Sequence, residues 1–64
     1  MTTVAEGEAA FLQRDYARAR DIWIALVRQE NAEAAAWLGA LYANGYGVDF
    51  DQVTAFRLRH GELL

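Results

Sequence analysis

The fold is indicated by the stretch LGALYANGYGV, which covers residues 38–48. Its apolar residues recur at helical spacing, and glycines follow at positions 45 and 47. Glycine adopts positive φ at low steric cost and therefore commonly ends a helix. Asp51 has the position and chemistry of a cap for another helix. The stretch therefore predicts a helix, a glycine-containing turn and a second helix.

Four helices are predicted in all, and each follows a residue whose side chain can cap it. Thr3 with Glu6 three residues later has the form of a capping box. We expect helices over residues 4–14, 16–28, 32–44 and 52–60, preceded by Thr3, Asp15, Asn31 and Asp51. Gly61 is a natural stop for the last one, and Leu63 is expected to fold back on it.

Apolar residues three or four positions apart predict which side of each helix is buried. For the first helix we expect a buried stripe of Val4, Ala5, Ala9 and Leu12. For the second we expect Tyr16, Ala19, Trp23, Leu26 and Val27, widened by Ile22 and Ile24. For the third we expect Ala34, Leu38, Leu41 and Tyr42, while the fourth carries Val53, Phe56 and His60 on one side. Gly39, inside the third helix, predicts that a neighbouring helix backbone approaches closely.

Composition limits the classes of function. The 64 residues can form one small domain, residues 1–64, and they contain neither cysteine nor proline. Six arginines against nine acids give a net charge of −3, which disfavours nucleic-acid binding. The apolar run over residues 22–27 is far shorter than the ~20 residues that cross a bilayer. No signal peptide is recognisable, so a soluble cytoplasmic protein without membrane contact is expected.

Candidate sites for catalysis or metal binding are weak. Asp49 and Asp51 could belong to a calcium loop, but Phe50 separates them and helix capping explains Asp51. His60 is the sole histidine, and the chain has no serine. The glycines at 45 and 47 lack the context of a phosphate-binding loop. We therefore expect no enzyme activity, no catalytic residue, no bound metal and no cofactor.

The residues Leu38-Gly39, Tyr42, Gly45-x-Gly47-Val48, Asp51 and Ala55 resemble the Sel-one-like repeat, a relative of the tetratricopeptide repeat. The resemblance covers residues 31–61, although the usual proline between the valine and the aspartate is missing. Residues 3–30, with Asp15-Tyr16 and Ala19, resemble a degenerate tetratricopeptide hairpin. This resemblance implies an all-α fold, an α/α superhelix of two antiparallel helical hairpins, which serves as an adaptor without an active site.

Two surfaces are expected to bind proteins. In such solenoids the first helix of each unit lines the concave side, which suggests a partner-binding strip of Glu33, Trp37, Ala40 and Asn44, unless Trp37 serves ordinary helix packing. About two repeat units leave apolar residues of the last helix without a following unit, which suggests a homodimer through Ala55, Leu58, Leu63 and Leu64. The alternative is peptide or small-molecule binding in the groove or at a dimer seam. Whether the chain is complete or part of a longer solenoid stays open.

Overall fold

Four α-helices make up the regular structure of residues 2–62, which are the residues that the computed structural model describes. They are α1 (Val4–Leu12), α2 (Tyr16–Val27), α3 (Ala32–Asn44) and α4 (Gln52–Arg59). This part of the chain contains no strand, and each helix packs on the next one in sequence. The helices together measure 26 × 23 × 12 Å. The all-helical prediction is confirmed, including the helical state of the apolar run at residues 22–27.

All four helices begin where their caps predict. The hydroxyl, carboxylate or amide oxygen of each cap accepts a hydrogen bond from the backbone N–H three residues later. The pairs are Thr3 with Glu6 at 3.3 Å, Asp15 with Arg18 at 3.3 Å, Asn31 with Ala34 at 3.0 Å and Asp51 with Thr54 at 3.1 Å. The bounds of α3 are as predicted, whereas the other three helices end one or two residues earlier than expected.

The helix ends share one closure. Just beyond each helix lies a residue with left-handed backbone: Arg14 (φ 62°), Glu30 (φ 60°), Gly45 (φ 69°) and Gly61 (φ 82°). The N–H of the next residue donates to the carbonyl five residues back, the bond that closes a Schellman motif. These bonds run from Asp15 to Ala10, from Asn31 to Leu26, from Tyr46 to Leu41 and from Glu62 to Arg57. Glu62 closes the last helix, and Leu63 lies outside the described residues.

The core lies along α2 and α3, because these two helices have a neighbour on both sides. Trp23, Leu38 and Leu41 are buried completely or almost completely. The predicted stripes of α2 and α3 are confirmed, with Tyr16 and Tyr42 half-buried at their margins. Ile22 and Ile24 pack against the core as expected.

The predicted buried stripe of α1 is wrong except at Val4, which is half-buried and packs against the core. Ala5 and Ala9 are exposed, and Leu12 is 79% exposed. Gly7 and Ala10 are buried instead. Because α1 packs mainly on α2, only one of its two small-residue sides is covered, and the periodicity of alanines does not say which.

Glycines allow the helices to approach closely within the α1–α2 pair and within the α3–α4 pair. A Cβ at Gly7 would overlap the indole of Trp23, so α1 can lie on that ring only without a side chain at this position. A Cβ at Gly39 would lie 3.1 Å from the carbonyl oxygen of Ala55 and 3.3 Å from Cγ of Arg59. The close approach predicted for Gly39 is therefore confirmed, with α4 as the neighbour.

Candidate protein-binding surface

Five aromatic rings from three helices and the α3–α4 turn form one continuous group, here termed the aromatic cluster. The ring of Phe11 is central, with its centroid 5.3–6.2 Å from those of the other four. Two stacked pairs complete the group: Tyr16 with Tyr46 at 5.1 Å and 15°, and Trp23 with Trp37 at 5.1 Å and 16°. Such offset pairs add stabilisation beyond the area that they bury.

The aromatic cluster runs from the core to the surface. Trp23 is fully buried, Phe11, Tyr16 and Trp37 are half-buried, and Tyr46 is 41% exposed. The exposed members are thus supported from beneath by rings that cannot move freely. A rigid aromatic surface of this kind loses little conformational freedom on binding.

Trp23 fixes the inner end of the aromatic cluster. Its ring rests on Gly7, and its Nε1–H donates to the backbone carbonyl of Val4 at 3.3 Å. The hydrogen bond satisfies the polar atom of a ring that is otherwise enclosed by apolar groups. The prediction that Trp23 belongs to the core is confirmed.

The α3–α4 turn fixes the outer end. The Arg20 guanidinium donates from Nη1 to the Gly47 carbonyl at 3.0 Å, and the N–H of Asp51 donates to the Tyr42 carbonyl at 3.0 Å. Gly47 has φ 71°, and a Cβ there would lie 2.7 Å from Cβ of Tyr16. The turn can therefore lie against α2 only with glycine at this position, and that contact brings Tyr46 onto Tyr16.

The four residues of the predicted partner-binding strip lie along one side of α3. Glu33 and Asn44 are exposed, while Trp37 and Ala40 are half-buried. Asn44 donates from Nδ2 to the Ala40 carbonyl at 2.8 Å, which leaves its side-chain oxygen as an acceptor. Trp37 packs on Trp23, and part of its ring stays exposed. It therefore takes part in helix packing and also remains accessible to a partner.

The expectation that Ala55 and Leu58 lack cover is wrong. Each is 1% exposed, because both face α3 and complete the core. They cannot contribute an exposed surface to self-association while the subunit stays folded. Leu63 and Leu64, the other two residues predicted for this role, lie outside the described residues.

The opposite side of α4 is apolar and exposed. Val53 is 66% exposed and Phe56 is 61% exposed, and the ring of His60 lies 4.1 Å from that of Phe56. Phe50, in the preceding turn, is 62% exposed. The spacing correctly places Val53, Phe56 and His60 on one side of α4, but that side is exposed rather than buried, because it faces away from α3.

Asp51 caps α4. Its two carboxylate oxygens accept from the N–H and the hydroxyl of Thr54, at 3.1 and 2.8 Å. These hydrogen bonds, the backbone one first, lower the pKa of Asp51 below its ordinary value. Among residues 2–62, no three acidic or histidine side chains come together as a possible metal site. No helix within that range is long and apolar enough to span a membrane.

Comparisons with known proteins leave the chain without an assigned family. No protein-family model, curated protein or solved structure matches it significantly.

Sequence reasoning missed most of the aromatic cluster. The spacing of Phe11, Tyr16 and Tyr46 gives no sign that their rings meet, since they lie in α1, α2 and a turn. One usable signal was Gly7, because a glycine inside a short helix suggests that another part of the chain approaches closely, as Gly39 does in α3.

Proposed function

We propose that the chain is a protein-interaction module, an adaptor or scaffold unit, which binds a partner segment through the outer part of the aromatic cluster. The observation that carries this proposal is the support of half-exposed Trp37 and Tyr46 by the buried ring of Trp23 and by Phe11. Binding energy at protein interfaces concentrates on rigid aromatic side chains of this kind.

The polar neighbours of these rings suggest the chemistry of the partner. Glu33 supplies a negative charge on the same side of α3 as Trp37, and Asn44 supplies an acceptor. Tryptophan and tyrosine rings attract cations over their faces. A segment that carries apolar and basic side chains fits this surface better than an acidic one.

In architecture, we propose an α/α superhelix of the Sel-one-like and tetratricopeptide type, with α1–α2 and α3–α4 as its two hairpins. The supporting observations are the neighbour-to-neighbour packing of the helices and the glycine contact within each pair. Self-association, as a homodimer or a larger assembly, is part of the same proposal. The exposed Phe56 and Val53 support it, since an apolar patch on a soluble domain commonly marks an interface.

A peptide selection tests the partner-binding surface. A random-sequence phage library is selected on the wild-type protein, and enriched peptides are synthesised and titrated by Trp fluorescence. We expect basic, apolar peptides that bind wild type and lose about tenfold or more in affinity on Tyr46→Ala, as an interface aromatic would. Phe50→Ala, which removes an exposed aromatic outside the cluster, is the matched control. Peptides that are indifferent to Tyr46, or no enrichment, would overturn the proposal.

A further inference from the structure

We infer that copies of this chain associate head to tail, with the outer side of α4 of one copy against the outer side of α1 of the next. The inference rests on the self-association part of the proposed function and specifies its geometry. The α4 outer face is defined as Val53, Phe56 and His60, and the α1 outer face as Ala5, Ala9 and Leu12. Every residue of both faces is exposed in the single subunit.

The contact between α2 and α3 shows how such faces pack. Ala19 and Ala55 hold corresponding positions, because each is a buried alanine whose N–H donates to the carbonyl of the aspartate that caps its helix. By this correspondence Phe56 matches Arg20, and His60 matches Ile24. Arg20 bonds the α3–α4 turn, and Ile24 packs against the core. Phe56 of the α4 outer face therefore holds the position from which Arg20 of α2 contacts the second half of the chain.

Two residues of the α1 outer face, Ala5 and Ala9, correspond to packed positions of α3. Gly7 and Gly39 hold equivalent positions in this comparison, because a Cβ at either one would crowd the following helix. Ala5 then matches Trp37, which stacks on Trp23, and Ala9 matches Leu41, which is 1% exposed. In α3 these positions are half-buried or buried, with Trp37 resting on α2, whereas in α1 they face solvent.

Size and charge make the two faces complementary. The α4 outer face presents a large ring at Phe56, and the α1 outer face presents two small alanines that leave room for it. α1 carries two glutamates, Glu6 and Glu8, and no basic residue, whereas α4 carries Arg57 and Arg59 and no acidic residue. Arg57 also lies 3.5 Å from Glu62 in an exposed pair, which a partner carboxylate can replace at little cost.

The charges also fit the direction in which the helices would pair. Helices joined by a short connection, such as α2 and α3, run antiparallel. In the same arrangement between copies, the last turn of α4 lies beside the first turns of the next α1. Arg57 and Arg59 are in the last turn of α4, and Glu6 is in the first turn of α1. The opposite charges are then adjacent, whereas two α4 faces in a symmetric pair would confer no such attraction.

The two faces differ, so one copy uses its α4 face and the next its α1 face. Such a heterologous contact leaves a free face at each end and allows further copies to add. It thus predicts a chain of subunits whose mean length rises with concentration, rather than a closed homodimer.

A mixing experiment tests this geometry by light scattering. Phe56→Glu blocks the α4 face and Ala9→Glu blocks the α1 face, and circular dichroism checks that each variant stays helical. We expect each variant alone to associate about thirtyfold more weakly than wild type, the effect typical of a central interface residue. An equal mixture should form a one-to-one dimer through the two intact faces. Ala25→Glu, at an exposed helical alanine outside both faces, is the control and should associate like wild type.

Other outcomes would overturn the inference. A symmetric α4 pair would let Ala9→Glu dimerise alone, and the mixture would add nothing. Wild type that stays monomeric into the millimolar range would leave both faces to a different occupant. If either variant loses its helicity, Val53→Glu and Ala5→Glu repeat the test on the same faces. The peptide titration on Tyr46→Ala is independent of these results, because it can be carried out on monomeric Phe56→Glu.

Discussion

The α1–α2 pair and the α3–α4 pair both pack closely at a glycine, but different groups lie against that glycine in each pair. Each pair meets at a glycine of its first helix, but Gly7 lies on the ring of Trp23, whereas Gly39 lies beside the Ala55 carbonyl and the Arg59 side chain. The neighbour of Gly7 is an enclosed ring. The neighbours of Gly39 are a backbone carbonyl and the flexible aliphatic part of an arginine side chain. The cost of filling either space therefore depends on whether its neighbour can move.

The largest effect is expected from Gly7→Ala. The new methyl would overlap the Trp23 indole, which is fully buried and held by a hydrogen bond to Val4. We expect a loss of at least about 3 kcal/mol in the free energy of unfolding, at the upper end for overpacking. A core of this size supplies only about 3–5 kcal/mol, so the variant should be largely unfolded by circular dichroism.

Gly39→Ala sharpens that contrast as the matched variant. The methyl would be 3.1 Å from the Ala55 oxygen, a contact that needs a shift of a few tenths of an ångström. Alanine regains about 1 kcal/mol of helix propensity, which offsets part of the overpacking cost. We expect a net loss of about 1 kcal/mol in urea unfolding. Equal losses of unfolding free energy for Gly7→Ala and Gly39→Ala would show that the enclosed Trp23 ring does not make the first contact less tolerant than the second.

The next comparison is between the stability costs of alanine at two glycines, one in the turn between α3 and α4 and one just after α4. Gly47→Ala combines a positive φ with a Cβ 2.7 Å from Cβ of Tyr16, whereas Gly61→Ala has a positive φ and, among residues 2–62, no atom of a non-adjacent residue within 4 Å of its Cβ. We expect Gly47→Ala to cost about 3 kcal/mol and Gly61→Ala about 1 kcal/mol, the latter from backbone conformation alone. Thermal unfolding measures both, and a Gly61→Ala cost that equals the Gly47→Ala cost would contradict the role of Tyr16.

A gain in stability is expected from glycine substitutions in the α1–α2 and α2–α3 connections, which lack glycine. Arg14 and Glu30 adopt left-handed backbone, which strains a residue with a Cβ. Arg14→Gly and Glu30→Gly should each raise the free energy of unfolding by about 1 kcal/mol. Arg28→Gly, where φ is −64°, is the control and should lower it by about 0.5–1 kcal/mol. Destabilisation by all three glycines would mean that the left-handed strain is relieved by other contacts.

The smallest effect is the pH dependence of the α4 cap. The hydrogen bonds from Thr54 lower the pKa of Asp51 in the folded state. A lowered folded pKa stabilises the protein fully above the unfolded value of about 3.9 and loses that contribution as pH falls through the folded pKa. The stability difference between wild type and Asp51→Ala should therefore be constant near neutral pH and narrow in acid.

Asn31→Ala provides the comparison for this effect. Asn31 caps α3 through its amide oxygen, at 3.0 Å from the Ala34 nitrogen, and it does not titrate. Its loss should destabilise the protein equally at neutral and acidic pH in urea titrations. A constant difference for Asp51→Ala as well would contradict a lowered pKa.

Local chemistry made the helices predictable. Caps at Thr3, Asp15, Asn31 and Asp51 each bond a nearby N–H, so a few residues of sequence suffice to locate them. The ends of α1 and α2 were less clear, because Arg14 and Glu30 adopt the left-handed closure without the glycine that usually marks it. The glycine-marked end of α3 was predicted correctly.

The predictions of buried and exposed residues that failed depend on how the helices pack, which local sequence does not show. The alanines of α1 have the spacing of a buried stripe, but among the described helices α1 packs mainly on α2, and Gly7 rather than Ala9 faces it. Ala55 and Leu58 were expected to need an outside cover because the sequence does not show that α3 already covers them. Of the candidate binding surface, Trp37 was predicted, while the rings of Phe11 and Tyr46 join it only through the fold.

The order of helix contacts also bears on how quickly the protein folds. The main contacts join α1 to α2, α2 to α3 and α3 to α4, so most interacting residues are near each other along the chain. Closing short loops costs little entropy, and domains with mostly local contacts cross their folding barrier in microseconds to milliseconds. A chain of this kind exposes its unpaired apolar surface to aggregation only briefly as it leaves the ribosome.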